Sequence, residues 1–317
     1  MSKVEVALVS NTSDLQQALL AKTFGEKVIF YNFHQNRDGL VEHADKIQIV
    51  YGNVREFEFP QLKKLEWVHA TWSGIDNILY PAFKESAVQL SCTKGQSSIQ
   101  MAEYVLAACL NLCRGFNDYL HQACWKPEPY PQLKAFFGCK VLILGTGHVG
   151  QEVAKKLVLN GAKVDGFSRS GKSISNFLMV HSFEQIPKNL SDYDFVVNTL
   201  PHTTETDQLL DRHWFSQMQR GAGFINIGRG KTVVEEDLLE AVNDRQLVGA
   251  ILDVTIQEPL PENHAFYQCP SIIVTGHRSW KPGTPSNLAF EQFVENLKSW
   301  MHNKQIPIGL VNKELGY

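Results

Sequence analysis

The chain has 317 residues, of which 44% are hydrophobic and 20% are charged, and its formal net charge is −3 at pH 7. This length allows two globular domains, and the scattered Lys and Arg residues exclude the basic patch expected of a nucleic-acid-binding protein. The apolar runs are far shorter than the roughly 20 residues that span a bilayer, and the N-terminus lacks a signal-peptide pattern, so we expect a cytoplasmic protein without membrane segments.

The six cysteines contain no Cys-x-x-Cys pair. Cys109 and Cys113 are one helical turn apart, but no histidine near them completes a zinc-like ligand set. We therefore predict reduced, buried thiols and no bound metal.

In the first hundred residues, short apolar segments alternate with polar or amphipathic stretches. The apolar segments, rich in β-branched and aromatic residues, predict strands at 4–9, 28–31, 47–51, 67–71 and 88–92. The stretches 14–21 and 59–64 between them are helix-like. This alternation predicts βα units around a parallel sheet.

Residues 97–113 have helical periodicity without Gly or Pro, and they predict a long helix between two domains. A second alternating region begins at Gly138, with predicted strands at 141–144, 163–167, 195–198, 223–227, 249–254 and 272–275. The segments 141–144 and 272–274 are continuously apolar, as strands buried on both faces are. Residues 287–301 are again helical and could return the chain to the first domain. We predict an α/β fold of two Rossmann-like, doubly wound parallel-sheet domains, 1–98 with 287–317 and 99–286, with the active site in a cleft between them.

The most specific local motif is a glycine-rich loop that follows the strand at 141–144. Its sequence has the G-x-G-x-x-G spacing, and its members are Gly145, Thr146, Gly147, His148, Val149 and Gly150. A helical pattern follows and stops at Asn160-Gly161. Glycines at these positions permit a tight turn, a close approach of pyrophosphate to the backbone and close packing of helix on strand. The motif predicts a dinucleotide site.

The cofactor preference depends on the residue that ends the next strand. An NAD-binding site places Asp or Glu there for the ribose 2′-hydroxyl. We place Ser168 at this position, followed by Arg169, Ser170 and Lys172, with Asp165 inside the strand. This pattern favours a 2′-phosphate pocket and therefore NADP, with NAD possible; the opposing interpretation is an ordinary polar loop.

Three further segments lie at the ends of predicted strands: Ile225 to Gly230, Leu252 to Leu260, and Val274 to His277. Reacting groups in open α/β sheets gather at the carboxyl ends of strands.

With these segments, the sequence resembles the D-isomer-specific 2-hydroxyacid dehydrogenases from about Glu66 to His277. The ordered matches are Ser-Gly-Ile-Asp-Asn at 73–77, Met-Ala-Glu-Tyr at 101–104, the glycine loop, Asn-Thr-Leu-Pro at 198–201, Glu205-Thr206 and the three segments above. Trp-Lys-Pro at 125–127, Ser-Arg-Ser at 168–170 and the closing Gly-Tyr resemble the glyoxylate/hydroxypyruvate reductase branch.

The resemblance implies a catalytic set of Arg229, Glu258 and His277. Arg229 would bind the carboxylate of a small 2-oxo acid, because a guanidinium offers paired donors to a planar anion. His277 would protonate the carbonyl oxygen as hydride arrives, and Glu258 would orient the imidazole and favour its charged form.

The resemblance also implies how the remaining site residues bind the two reactants. The backbone around Gly74 and Ile75 would meet the substrate carboxylate, in a substrate-binding domain of flavodoxin-like type. Asp253 would bind the nicotinamide carboxamide. Further cofactor contacts would come from Leu200, Pro201, Ile227, Gly228, Arg229 and His277.

One segment departs from the family pattern. The family usually has Pro before the catalytic His and small residues after it, whereas this chain has Gly276-His277-Arg278-Ser279-Trp280. Arg278 and Trp280 could reshape the substrate end of the site, so we include Trp280 among the substrate-binding residues.

Two alternatives remain open at this stage. One is a dehydrogenase of 3-phosphoglycerate or another D-2-hydroxy acid that uses NAD, although no regulatory extension is evident after Asn312-Lys313. The other is a corepressor-like interaction protein that senses dinucleotides, and the intact catalytic set argues against it. We also expect a homodimer through the dinucleotide-binding domain, because the 116–131 region is rich in aromatic residues that need burial.

Overall fold

This computed structural model describes residues 3–119, 133–182, 190–281 and 287–316. The chain divides into two compact units, the first formed by Met1–Gln96 with Thr284–Tyr317 and the second by Ser97–Gly283. Each unit is an α/β fold around one parallel sheet, and the predicted fold class is confirmed at this level. In the described ranges, no helix has the length and apolarity needed to cross a bilayer.

The first unit contains a five-stranded parallel sheet with the strand order β2-β1-β3-β4-β5. This is the flavodoxin-like order, in which the sequence of strands reverses between β1 and β3. Its strands are β1 (Val4–Leu8), β2 (Val28–Asn32), β3 (Ile49–Tyr51), β4 (Trp67–Ala70) and β5 (Gln89–Cys92). Its helices are α1 (Asp14–Phe24), α2 (Asp38–Glu42), α3 (Pro81–Lys84) and, from the C-terminal part of the chain, α9 (Leu288–Asn303).

The second unit contains a seven-stranded parallel sheet with the order β12-β11-β10-β9-β6-β7-β8. Counted from the glycine-loop strand β6, this is the Rossmann order extended by one strand, and it reverses between β6 and β9. The strands are β6 (Lys140–Leu144), β7 (Lys163–Ser168), β8 (Val180–Ser182), β9 (Phe195–Asn198), β10 (Ala222–Asn226), β11 (Leu247–Leu252) and β12 (Ile272–Val274). The helices are α4 (Ser98–Arg114), α5 (Phe116–Tyr119), α6 (His148–Leu159), α7 (Arg212–Gln217) and α8 (Glu235–Asn243).

Local sequence signals account for the longer helices. Ser13 and Gln16 form a reciprocal capping box at the start of α1, which satisfies two otherwise unpaired backbone N–H groups. Gly115 ends α4 in the left-handed conformation, with φ 60°. Other segments differ from expectation: the helix-like stretch at 59–64 contains only a single 3-10 turn, Phe59–Gln61, with Pro60 inside it.

The predicted strand at 272–275 lies at the edge of the sheet, not in its centre. Only Ile272 in β12 is buried, while Ile273 and Val274 are half-buried. Ile272 and Val274 pack on one core cluster and Ile273 packs on the other, so both faces of β12 are covered, although only partly at Ile273 and Val274. As the edge strand, β12 pairs with β11. By contrast, the four apolar residues of β6 are all buried, since β6 lies between β7 and β9.

Candidate active site

The sheet of the second unit brings most of the predicted site residues to one edge. The glycine loop follows β6, Leu200 follows β9, Arg229 follows β10, Glu258 follows β11 and His277 follows β12. Because all these strands are parallel, their carboxyl ends meet at the same edge of the sheet. The folded sheet therefore collects residues that are up to 132 positions apart (277 − 145) in the chain.

Two of the three glycines in the loop after β6 are required by the packing of the chain, and the third borders open space. Gly145 has φ +100°, and a Cβ there would lie 2.6 Å from Oγ1 of Thr199. A Cβ on Gly150 would lie 2.0 Å from the carbonyl oxygen of Gly145, so only glycine allows α6 to approach the loop this closely. In contrast, a Cβ on Gly147 would meet no atom within 4 Å. Gly147 therefore borders open space.

The open space lies at the N-terminus of α6. Gly147 is the N-cap residue and offers no side-chain hydrogen bond to the first turn of the helix. The first N–H groups of a helix have no partner inside it and carry a partial positive charge, so they attract an anion. An uncapped helix beside an open glycine fits the pyrophosphate of a nicotinamide dinucleotide.

The end of β7 is the second part of this nucleotide edge. Ser168 is the last residue of the strand, and its Oγ accepts a hydrogen bond from the N–H of Gly171 at 3.2 Å. Arg169, Ser170 and Lys172 are exposed. Asp165 lies inside the strand, where its carboxylate accepts hydrogen bonds from Met179 N–H at 3.1 Å and Tyr193 O–H at 2.8 Å.

A buried amide network holds the loops after β9 and β10 together. Asn198 Nδ2 donates to Asn226 Oδ1 at 3.0 Å and to Thr232 Oγ1 at 2.7 Å. Asn198 Oδ1 accepts from Leu200 N–H at 3.1 Å, and Asn226 Oδ1 accepts from Gly228 N–H at 3.0 Å. Sequence reasoning noticed Asn198 only as part of a motif and did not assign these residues a role. The sequence signal that could have indicated this network is an asparagine at or next to the end of each of two predicted strands, Asn198 and Asn226.

The same network fixes the backbone of Arg229. Its carbonyl oxygen accepts hydrogen bonds from Thr232 Oγ1 at 2.6 Å and Asn226 Nδ2 at 3.3 Å. The half-buried side chain of Arg229 donates through Nη1 to the carbonyl of Gly228 at 2.8 Å. A guanidinium held on this edge suits recognition of a planar anion. Pro201 is half-buried, and Leu200 and Ile227 are buried at the same edge.

His277 and Glu258, two of the three predicted catalytic residues, are in direct contact. His277 Nδ1 lies 2.7 Å from Glu258 Oε2, and the two side chains are 43% and 38% exposed. Glu258 Oε1 also accepts a hydrogen bond from Thr255 N–H at 3.2 Å. With Nδ1 bound to the carboxylate, Nε2 is the nitrogen available to a substrate.

Asp253 has immediate partners that differ from the predicted nicotinamide contact. Its side chain is almost fully buried, with 1% of the residue exposed. The carboxylate accepts hydrogen bonds from Thr275 Oγ1 at 2.6 Å, from Arg278 N–H at 2.7 Å and from Ser279 N–H at 2.9 Å. These contacts bind Asp253 to the chain on both sides of His277. Its contact with nicotinamide stays a prediction.

Trp280 also contacts the segment that carries His277. Its indole Nε1 donates to the carbonyl oxygen of His277 at 2.9 Å, while 44% of the residue is exposed. Its predicted role in substrate binding is not tested by this contact.

The predicted carboxylate-binding residues Gly74 and Ile75 belong to the first unit, in the loop after β4. The side chain of Ile75 is buried, with 3% of the residue exposed. The N–H groups of Gly74 and Ile75 donate to no residue in the described part of the chain.

The similarity of this sequence to known proteins shows the family to which the chain belongs. The sequence pattern of the NAD-binding domain of D-isomer specific 2-hydroxyacid dehydrogenases matches residues 104–279, more than half of the chain. Glyoxylate/hydroxypyruvate reductase A of Yersinia enterocolitica is 33% identical over an alignment of 296 residues, and the match covers 90% of this chain and 92% of that protein. The chain belongs to the D-isomer-specific 2-hydroxyacid dehydrogenase family.

Solved structures of D-2-hydroxyacid dehydrogenases have the same fold. A D-isomer specific 2-hydroxyacid dehydrogenase family protein from Aeromonas salmonicida has a TM-score of 0.84 and 29% identity, and the match covers 98% of this chain and all of that one. The NADPH-dependent glyoxylate/hydroxypyruvate reductase from Sinorhizobium meliloti, solved with NADP and sulfate, has a TM-score of 0.79 and 27% identity. That match covers 99% of this chain and 100% of the other.

As a D-2-hydroxyacid dehydrogenase, this chain is an oxidoreductase that uses a nicotinamide dinucleotide. The resemblance drawn from the ordered motifs is thereby confirmed. The Trp-Lys-Pro motif at 125–127 lies outside the described residues.

Proposed function

We propose that this D-2-hydroxyacid dehydrogenase reduces a small 2-oxo acid of the glyoxylate or hydroxypyruvate type to the D-2-hydroxy acid, with NADPH as the hydride donor. The observation that carries the proposal is the His277–Glu258 pair at 2.7 Å. It lies on the same sheet edge as Arg229 and the glycine loop. An acid–base group, an anion-binding group and a dinucleotide loop are the three parts that this reaction requires.

The proton of the reaction comes from His277. In the direction of reduction, its Nε2–H protonates the substrate carbonyl oxygen, and the ring becomes neutral. Glu258 keeps the remaining proton on Nδ1, so Nε2 is left as the base for the reverse reaction. When bound, the reduced nicotinamide supplies the hydride that reaches the carbonyl carbon.

The substrate carboxylate is recognised by Arg229. Its backbone is fixed by two hydrogen bonds to the carbonyl oxygen, and its Nη1 donates to the Gly228 carbonyl at 2.8 Å, so the planar guanidinium is partly ordered before binding. We also assign the backbone amides around Gly74 and Ile75 to carboxylate recognition, as the resemblance to the family implies.

The N-terminus of α6 and the space beside Gly147 would hold the pyrophosphate of the cofactor. We assign residues 99–286 to this dinucleotide-binding domain and residues 1–98 with 287–317 to the substrate-binding domain.

NADPH is our proposed cofactor because of the end of β7. A carboxylate there would repel a 2′-phosphate, whereas Ser168 presents a neutral hydroxyl. The exposed Arg169, Ser170 and Lys172 follow it and add two positive charges. Asp165, the acidic residue that could reverse the preference, is held three positions earlier by Met179 and Tyr193.

We further propose a homodimer formed through the second unit. Phe137 and Leu159 are 82% and 77% exposed, and the Gly138 N–H donates to the Gly161 carbonyl beside them. Phe116, at the start of the predicted 116–131 contact region, is 56% exposed, and residues 120–131 lie outside the described residues. A second copy would cover these exposed apolar side chains. Light scattering at micromolar concentration should give the mass of a dimer, and a monomeric mass would exclude this proposal.

The test of the reaction is a panel of 2-oxo acids with each reduced cofactor, followed by nicotinamide absorbance. We expect glyoxylate and hydroxypyruvate to support faster NADPH oxidation than pyruvate or a phosphorylated 2-oxo acid. His277→Asn should abolish turnover. His202→Asn is the matched control, because His202 Nε2 also lies 2.7 Å from a carboxylate, that of Asp207. Equal losses in the two variants, or no turnover with any 2-oxo acid, would contradict the proposal.

A further inference from the structure

The segment that carries His277 has an unusual backbone. Gly276 has φ +67° and His277 has φ +58°, so two successive residues are in the left-handed region. For a residue with a side chain, this conformation is strained, and it persists only where the surroundings fix it. The contacts of this turn, residues 276–280, identify what fixes it.

Asp253 holds the turn from the buried side. Its carbonyl oxygen accepts the N–H of His277 at 2.6 Å, and its two carboxylate oxygens accept the N–H groups of Arg278 and Ser279 at 2.7 and 2.9 Å. Three consecutive backbone donors therefore surround one residue. The N–H groups of Arg278 and Ser279 converge on the carboxylate as successive N–H groups do around a bound anion, and here the anion is part of the protein.

The carboxylate of Asp253 is itself fixed from behind. Thr275 Oγ1 donates to Oδ1 at 2.6 Å, and Tyr104 O–H lies 2.8 Å from the same threonine oxygen. Asp253 is 1% exposed. Since this carboxylate has several donors and almost no contact with solvent, it is a rigid support for the turn.

Trp280 holds the turn from the exposed side. Its Nε1–H donates to the carbonyl oxygen of His277 at 2.9 Å, three residues back in the chain. The N–H and the carbonyl of His277 are thus both bonded, one to Asp253 and the other to Trp280. With both backbone groups fixed, the direction of the imidazole toward Glu258 is set by the turn.

We propose that Asp253 and Trp280 are positioning residues that fix His277 in this left-handed turn, and that the turn requires Gly276 where the family usually has proline. Proline is restricted to φ near −65°, so it cannot adopt the φ of +67° found at Gly276. The left-handed turn therefore involves both departures from the family pattern: glycine at 276 allows its backbone conformation, and the Trp280 indole bonds to it. Their effect on catalysis rests on the proposed function of His277.

Kinetics give the first test. Trp280→Phe keeps the aromatic ring but removes the indole donor, and the loss of one hydrogen bond should lower kcat about 3- to 10-fold. The dissociation constant of NADPH should not change, because the cofactor loop is untouched. Gly276→Ala should lower kcat about 5- to 30-fold through backbone strain, and Gly276→Pro should lower it further. Lys281→Ala, in the exposed residue after the turn, is the control and should match the wild type.

The second test needs neither substrate nor cofactor. In the full chain labelled with 15N in its tryptophan indoles, the Trp280 signal is the one absent from Trp280→Phe. We expect its Nε1–H to exchange slowly with solvent in the wild type and quickly in Gly276→Ala. A Trp280 indole that exchanges as fast as free indole in the wild type would overturn the proposal. So would a Gly276→Pro variant that is as active as the wild type. Failure of the 2-oxo acid assay alone would refute the proposed function but not the turn.

Discussion

Acidification should destabilise the first unit through His69, a buried residue of β4. His69 is 0% exposed, and its Nδ1 lies 2.8 Å from Ser91 Oγ, which also accepts the indole N–H of Trp67 at 2.9 Å. Either the Ser91 hydroxyl or the ring N–H can be the donor of the bond between Ser91 and His69. Burial lowers the pKa of His69 from 6.5 to about 4, because a charged imidazolium would lose its hydration in this core.

The direction of the pH effect follows from proton linkage. Because the folded pKa is lower than the unfolded one, the unfolded chain binds the proton more tightly. The contribution of neutral His69 to the free energy of unfolding is fully present above pH 6.5 and is lost as the pH falls to about 4. At about 1.36 kcal/mol per pH unit, this interval corresponds to about 3.4 kcal/mol. About 2 kcal/mol of it should be lost between about pH 7 and about pH 5.

Urea unfolding at a series of pH values measures this loss. Trp67 lies 6.0 Å from the His69 ring, so its share of the tryptophan fluorescence reports on unfolding of the first unit. His69→Asn keeps an acceptor near the position of Nδ1 but does not titrate. The variant should be less stable at neutral pH, and its unfolding free energy should fall less steeply with acidification, by close to one proton midway through the interval.

The exposed His34 provides the control, since His34→Asn should leave the pH slope of the wild type unchanged. Parallel slopes for the wild type and His69→Asn would refute the reasoning, because they would mean that His69 accepts its proton equally well in the folded and unfolded chains.

Three further predictions concern the proposed reaction. Glu258→Gln should lower kcat about 5- to 30-fold, because a neutral amide replaces the charged partner of His277; wild-type kcat would remove Glu258 from the mechanism. Arg229→Lys should lower kcat/KM for the 2-oxo acid about 10- to 100-fold, since lysine keeps the charge but not the paired donors; an unchanged kcat/KM would exclude Arg229 from carboxylate binding. Wild-type kcat/KM should be about tenfold higher with NADPH than with NADH. Arg169→Ala should reduce only the NADPH value, and similar losses with both cofactors would indicate a structural role for this arginine.

Elements with a strong local signal could be predicted from the sequence. The strand at 195–198 was predicted with the bounds that the structure has, Phe195–Asn198. Its apolar run Phe-Val-Val ends at Asn198, and all four residues are buried. The glycine loop, the end of β7 at Ser168 and the long helix α4 were equally accessible. In these segments the residues that form the element also carry the pattern that identifies it.

Elements that depend on distant partners were not predicted. The strand β8 has the sequence Val-His-Ser, and all three residues are half-buried. It is a strand because it pairs with β7, and nothing in its own composition indicates this. The short helices α2, α3, α7 and α8 were missed for a similar reason, since helices of a few turns are stabilised mainly by packing.

The features of the site also divide into those that the sequence predicted and those that only the tertiary structure determined. The order of motifs along the chain determined the family and named Arg229, Glu258 and His277, because a reaction that needs these side-chain types limits which residues can occupy each strand end. Only the tertiary structure decided that His277 Nδ1 meets Glu258, and that Asp253 and Trp280 bond to the turn between them. Asp253 reaches Arg278 across 25 positions of sequence. No local pattern indicates such a contact, because it exists only once β11 and β12 lie side by side.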